Sequence, residues 1–305
     1  MTFSGMGVYA DGAILTFGLQ FIGFAVAAIL QTEVFYDVLG GINFLLLAVL
    51  SQVESPSTTE TLVNKNSVFV LLFVVSRGWL LVFLAWRAHH RKGDSRFDGI
   101  RDNPSRFFVY WMVQAVWVYC ISLPILVVAS SGRPVSAAKF DLASWMLQGM
   151  GWSVYFEIWS DIVKAKWVAK GRPGGFCTEG PWKRSRHPNY AAEISTWVFA
   201  AAYAVVVSDK PVAAMLIASL SPLFTIQILT NTSGTGVWNA EGKNLKRYYE
   251  HKDASISQNY VEYRKTTPPL FPTVGVPYES LSLNFQRQFC FEWEIYEYKS
   301  KGKSE

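Results

Sequence analysis

The sequence predicts an all-α protein: a multispanning transmembrane helical bundle of about seven spans with a cytosolic C-terminal segment. Three observations carry this. Half of the 305 residues are hydrophobic and only 17% are charged, against about a quarter charged in soluble domains. Several apolar runs reach the roughly 20 residues that a helix needs to cross hydrocarbon, where helices satisfy their own backbone polar groups. Lysine and arginine also alternate between successive interhelical segments, as the positive-inside rule requires.

Taken in order, the expected spans are 13–30, 38–53, 68–86, 107–130, 142–159, 190–207 and 212–230, the second being the shortest. Residues 1–12 carry neither a basic region nor a small-residue cleavage site, so the first apolar run is expected to remain as a span. The segments after spans three, five and seven hold 6, 7 and 10 Lys or Arg, and those after spans two, four and six hold 1, 2 and 1. This asymmetry sets the N-terminus outside and the basic loops and C-terminus in the cytosol. The loop 87–106 is then suited to anionic lipid headgroups or to a cofactor phosphate. The last five residues resemble a Lys-x-Lys-x-x retrieval signal, which suggests the endoplasmic reticulum.

Some classes are excluded. Cys120, Cys177 and Cys290 are scattered and odd in number, so neither a disulfide framework nor a zinc site is expected. Four histidines without a His-x-x-His argue against the histidine-rich di-iron membrane hydroxylases. No metal and no nucleic-acid partner is expected.

The polar residues worth chemistry cluster in a few places. Residues 180–193 gather Lys183, Arg184, Arg186, His187, Asn189, Tyr190 and Glu193 ahead of an apolar run. Pro188 suits the first helical position, where its missing N–H is no loss, and this puts His187 at the cap. A helix start flanked by cations favours a phosphate-bearing ligand. Glu157, Asp161 and Lys164 recur at i, i+4 and i+7 and share one helix face. Arg77 lies nine residues before Trp86 inside a span, at an insertion cost of roughly 2.5–3.5 kcal/mol. It calls for a salt bridge to Glu157 or Glu193, a polar cavity, or both. Tyr260 and Tyr263 fall on one face of a late helix, as an interfacial belt or as the wall of a nucleotide pocket.

The run Gly180-x-Trp182-x-x-Ser185-Arg186-His187-Pro188-Asn189-Tyr190-x-x-Glu193 resembles the signature of the DUF1295 membrane proteins, related to steroid 5-alpha-reductases and sterol reductases. The similarity extends over about residues 65–272, through Arg77–Arg87, Asp94-Ser-Arg96 with Arg101, Glu157-x-x-x-Asp161-x-x-Lys164, and Tyr260-x-x-Tyr263. It departs at Pro181, Arg184, Ala191 and Ala192, and in the stretch 233–241, where the family usually reads Gly-Ile-Pro-Leu-Leu-Glu. On this resemblance the chain divides into N-terminal spans (1–66), a reductase-like membrane domain (67–272) and a cytosolic tail (273–305).

The resemblance implies a membrane reductase that passes a hydride from NADPH to an activated carbon–carbon double bond of a lipid or steroid-like molecule. Carried onto this sequence, Arg186, His187, Asn189, Tyr190, Asp161, Lys164, Arg77, Tyr260 and Tyr263 would hold the cofactor. Tyr190 would donate the proton, with Glu157 or Glu193, kept protonated by burial, as the alternative. Two other functions fit the same residues. Membrane methyltransferases of the isoprenylcysteine or phospholipid type, which use S-adenosylmethionine, share Arg-His-Pro-x-Tyr and a late glutamate. An inactive accessory subunit of a larger membrane complex would explain the departures and the unassigned tail.

Overall fold

A computed structural model describes residues 5–54, 65–90, 97–131 and 137–298. Asp94–Arg96 of the basic loop and the Lys-x-Lys-x-x terminus lie outside these. No strand occurs among the described residues. The long helices are α1 (Val8–Leu30), α2 (Tyr36–Glu54), α3 (Lys65–His90), α4 (Pro104–Ser130), α5 (Phe140–Ala169) and α6 (Pro188–Val207). Shorter ones follow: α7 (Pro211–Ala218), α8 (Leu220–Asn231), α9 (Gly236–Ala240), α10 (Lys246–Tyr249), α11 (Ala254–Thr266) and α12 (Leu283–Phe289).

Among the described residues, six segments are long and apolar enough to cross a membrane: Val8–Leu30, Tyr36–Glu54, Asn66–Trp86, Pro104–Ser130, Pro188–Val207 and Pro211–Ala240. The chain is an integral, multi-pass helical membrane protein. Six of the seven expected spans fall on these segments. The seventh, 142–159, falls in α5, whose tryptophans, glycines, Gln148 and Glu157 keep it outside the apolar set.

The backbone forms two compact units, Met1–Gly151 with Thr196–Phe224, and Trp152–Ser195 with Thr225–Glu305. In the first, α4 is the central helix. Its apolar window is 67% buried, against 22% in α1 and α3, so the outer helices keep apolar faces such as Ile29 and Val82 uncovered, as lipid-facing helices do. Asn103 caps α4 by accepting from the Arg106 amide at 3.1 Å, and Pro104 takes the first position. Close approach of α1 depends on Gly23, where a Cβ would sit 2.4 Å from Leu39 and 2.5 Å from Trp111.

An amide ladder joins three of these helices. Gln114 donates to Gln20 at 3.0 Å and to the Tyr36 carbonyl at 2.9 Å, and Gln20 donates to Asn43 at 3.2 Å. Such interhelical bonds hold membrane helices in register. Arg77 is fully buried in this unit, with its guanidinium 4.7 Å from the Trp197 ring and 5.4 Å from Phe44. Its Nη2 also donates to Ser76 Oγ at 2.9 Å. Cation–π contacts of this desolvated kind contribute about 2 kcal/mol, which offsets most of the cost of placing the charge here. Arg101 of the basic loop forks onto Glu33, with Nε at 2.5 Å and Nη2 at 2.7 Å.

Candidate functional site

The second unit is organised by the loop between α5 and α6. Gly171 (φ 80°) and Arg172 (φ 59°) turn the chain out of α5 in left-handed conformations. A single 3-10 turn, Gly180–Lys183, then buries Trp182, whose indole N–H donates to the Ser160 carbonyl at 2.9 Å. Tyr263 of α11 donates its hydroxyl to the Trp182 carbonyl at 2.5 Å. The Arg186 and His187 amides donate to the Pro268 and Pro269 carbonyls at 3.0 and 2.9 Å. The loop is thus clamped on both sides before α6 begins. Pro188 opens the helix, and the His187 carbonyl accepts the first helical bond, from Ala191, at 3.1 Å.

Arg186 is the centre of a buried ionic cluster. Its Nη2 bonds to Glu292 Oε2, and its Nε lies 3.4 Å from Glu241 Oε1. Arg264 shares both carboxylates, 3.0 Å from Glu292 Oε1 and 3.5 Å from Glu241 Oε2. Tyr278 donates to Glu292 Oε2 at 2.7 Å. His187 Nε2 meets Glu241 Oε1 at 2.9 Å. Burial pulls the His187 imidazole below its ordinary range, and the Glu241 contact opposes this without reversing it. The ring is therefore neutral at pH 7 and donates to Glu241 from Nε2. Burial alone would raise the Glu241 carboxyl, but Arg186, His187 and Arg264 outweigh it and lower the pKa to about 2. Burial likewise works against the charge on Arg186, and Glu241 and Glu292 more than restore it.

Gly236 makes the Glu241 position possible. It has φ +58°, and a Cβ there would lie 2.0 Å from the Leu229 carbonyl oxygen. This tight start of α9, after α8, aims Glu241 inward, where it is 1% exposed.

The other predicted residues of this unit take up distinct positions. Asn189 donates from Nδ2 to Asp161 Oδ1 at 3.1 Å, and its Oδ1 is buried with no hydrogen-bond partner among the described residues. The Tyr190 ring lies parallel to His187, with centroids 5.5 Å apart and planes 8° from parallel. Glu157 is buried on α5 and Glu193 is half-buried on α6. The Lys164 ammonium sits between two indoles, 4.5 Å from Trp167 and 4.3 Å from Trp182. Burial lowers its pKa to about 8, with Arg247 and Arg172 adding to the effect and Cys177 opposing it. Tyr260 is buried against Tyr248 at 4.2 Å and Phe176 at 5.1 Å. Burial raises the pKa of both Tyr260 and Tyr263, so both hydroxyls stay protonated.

These positions separate the predicted set. Two direct pairs form: the rings of His187 and Tyr190, and the side chains of Asn189 and Asp161. Lys164 and Tyr263 meet them through Trp182 and the loop backbone. Arg77 belongs to the other unit. Arg186 does not present its guanidinium to solvent, since Glu241 and Glu292 take it up. Exposed cations on the same loop include Lys183 and Arg184 next to the signature, as well as Lys170 and Arg172 near its start. Four residues of the cluster were missing from the predicted site: Glu241, Arg264, Tyr278 and Glu292. Glu241 ends the divergent stretch 233–241, at the place of the family's late glutamate, and that signal could have found it. Arg264, next to the Tyr-x-x-Tyr pair, carried a weaker one, and Glu292 carried none.

The model of a family described as a protein of unknown function, DUF1295, matches residues 23–267. The chain belongs to the DUF1295 family. The match holds Arg186, His187, Glu241 and Arg264, and it stops short of Tyr278 and Glu292. A C-terminal segment outside the DUF1295 match therefore completes the ionic cluster. No curated protein and no solved structure matches this DUF1295 chain.

Proposed function

We propose that this DUF1295 protein is a membrane reductase that uses NADPH to reduce an activated carbon–carbon double bond in a lipid or steroid-like substrate. The observation that carries the reading is the orphaned Asn189 Oδ1, a buried acceptor on the residue just before Tyr190, whose ring pairs with His187. A buried acceptor without a donor is destabilising by about 1–3 kcal/mol, and a ligand carboxamide N–H removes that penalty. The nicotinamide ring carries such a group. Lys183 and Arg184 supply formal positive charge for phosphates on the exposed part of the loop.

NADPH, when bound, would supply the hydride. Asn189, oriented by Asp161, would fix the ring through its carboxamide. His187, held neutral by burial and tied to Glu241, would support the Tyr190 ring from one face. Tyr190 would donate the proton that completes the reduction, with Glu157 and Glu193 as alternative donors. The basic loops would face the cytosol, and the membrane would be that of the endoplasmic reticulum.

One observation favours a second reading, an inactive subunit of a membrane complex. Glu292, from beyond the family match, is bonded to Arg186. If that closure is permanent, the signature is structural.

The experiment is cofactor binding to purified protein in detergent, followed by thermal stabilisation. NADPH is expected to stabilise the wild type, and His187→Ala and Asn189→Ala are expected to abolish this while inserting normally. Unchanged NADPH affinity in both variants would remove the site assignment. Stabilisation by S-adenosylmethionine instead would replace the reductase with a methyltransferase. No response to either, with co-purification in a stoichiometric complex, would favour the second reading.

A further inference from the structure

The ionic cluster leaves buried guanidinium donors unused. Arg186 and Arg264 direct Nη2 at Glu292, yet Nη1 of each is buried with no hydrogen-bond partner among the described residues. The side chains are 2% and 10% exposed. Buried guanidinium N–H groups are normally satisfied, yet the two oxygens of Glu292 do not reach these. Glu292 already serves Arg186, Arg264 and Tyr278 with them.

The way Glu292 arrives also matters. Phe291 before it is in the left-handed region, with φ 60°. That conformation is unfavourable for a residue with a side chain. The lobe behind it is tied to itself: Gln286 Nε2 donates to the Tyr278 and Leu281 carbonyls at 3.0 and 3.1 Å, and the Glu292 amide donates to Gln286 O at 3.1 Å. A strained residue joins a self-bonded lobe to the carboxylate. Strain of this kind persists only where surrounding contacts hold it, and here the two arginines do so.

We infer that Arg186 and Arg264 form a binding site for a phosphate or pyrophosphate group, and that Glu292 is its resident occupant, displaced when such a ligand enters. A pyrophosphate presents enough oxygens for the Nη1 donors as well as those Glu292 now uses. Arginine suits this role because its fork matches phosphate oxygens in pairs. Withdrawal of Glu292 leaves two guanidinium charges facing Glu241 alone, a net positive site. The inference does not depend on the ligand being NADPH; any phosphate-bearing molecule of suitable shape qualifies.

The test uses the full chain in detergent, with inorganic pyrophosphate as the probe at constant ionic strength. A site closed for most of the time binds with an affinity reduced by the fraction that is open, so Glu292→Ala is expected to bind pyrophosphate at least about ten times more tightly than wild type. Adding Arg264→Gln to that variant is expected to abolish the gain. Glu292→Gln, which keeps side-chain length and a partner for Tyr278, should show the same tightening should the alanine variant not fold. Equal pyrophosphate binding in wild type and a folded Glu292 variant overturns the inference. So does failure of both variants to fold, which would make Glu292 a fixed structural partner. Tightened pyrophosphate binding without any NADPH binding would keep this site and discard the reductase reading. NADPH binding with no effect of Glu292 would do the reverse.

Discussion

Replacing Glu241 with glutamine should remove one of the two anions that balance Arg186 and Arg264 while preserving shape. The magnitude follows from the carboxyl group itself. Its pKa falls from an ordinary 4.5 to about 2, and at about 1.4 kcal/mol for each tenfold change the folded environment favours the charged form by about 3 kcal/mol. An independent route gives a similar figure, since removing one partner of a buried pair typically costs about 3–5 kcal/mol. For a chain of this size each kcal/mol moves the melting temperature by about 2 °C, so Glu241→Gln should melt about 6–10 °C below wild type at pH 7. The pH dependence has a definite sign. A carboxyl with a depressed folded pKa contributes stability that is complete above its unfolded value of 4.5 and is lost as pH falls toward about 2. The gap between wild type and variant should therefore close over that window. Differential scanning fluorimetry of both proteins in one detergent across the pH range reads both effects. A shift under about 2 °C at pH 7, or a gap as wide at pH 3 as at pH 7, would refute this account of the cluster.

Two further outcomes are expected. Gly236→Ala must relieve an approach of 2.0 Å to a backbone carbonyl at φ +58°, and should destabilise by more than about 3 kcal/mol, combining left-handed strain with overpacking; near-wild-type thermal unfolding would contradict the tight α9 start. Lys164, with its pKa lowered to about 8, should lose its charge between Trp167 and Trp182 near that pH. Tryptophan emission of the wild type should then change around pH 8, and that of Lys164→Met should not. Over about pH 8 to 10.5 the unfolded chain binds the proton that the folded chain has released, so stability should rise with pH there.

How much of this was legible in the sequence depends on how far each feature reaches along the chain. The bundle was legible because hydropathy is local: each span announces itself within about 20 residues. Segment 142–159 is a helix, as expected, but the tryptophans and polar residues of α5 leave its hydropathy below that of the six apolar segments. The start of α6 was legible because Pro188 and the cap residue before it obey short-range helix-start rules. Arg77 was legible as a charge inside an apolar run, but its contacts with Phe44 and Trp197 come from distant helices and leave no pattern in the sequence. The ionic cluster was least legible. Glu241 is 54 residues from His187, and Glu292 is 106 from Arg186. A single glutamate in an aromatic tail has no periodicity to mark it.

The 106 residues between Arg186 and Glu292 also set an order of events during biosynthesis. At about 5–20 residues per second, the arginine is added to the chain roughly 5–20 s before its second carboxylate. Over that interval the α5–α6 loop must stay in water, because a guanidinium of this kind enters an apolar interior only with its counter-charges. Helix insertion therefore precedes closure of the second unit, and a nascent chain halted before Glu292 would display a positively charged, incompletely folded surface beside the bilayer. Such a surface distinguishes unfinished copies from finished ones.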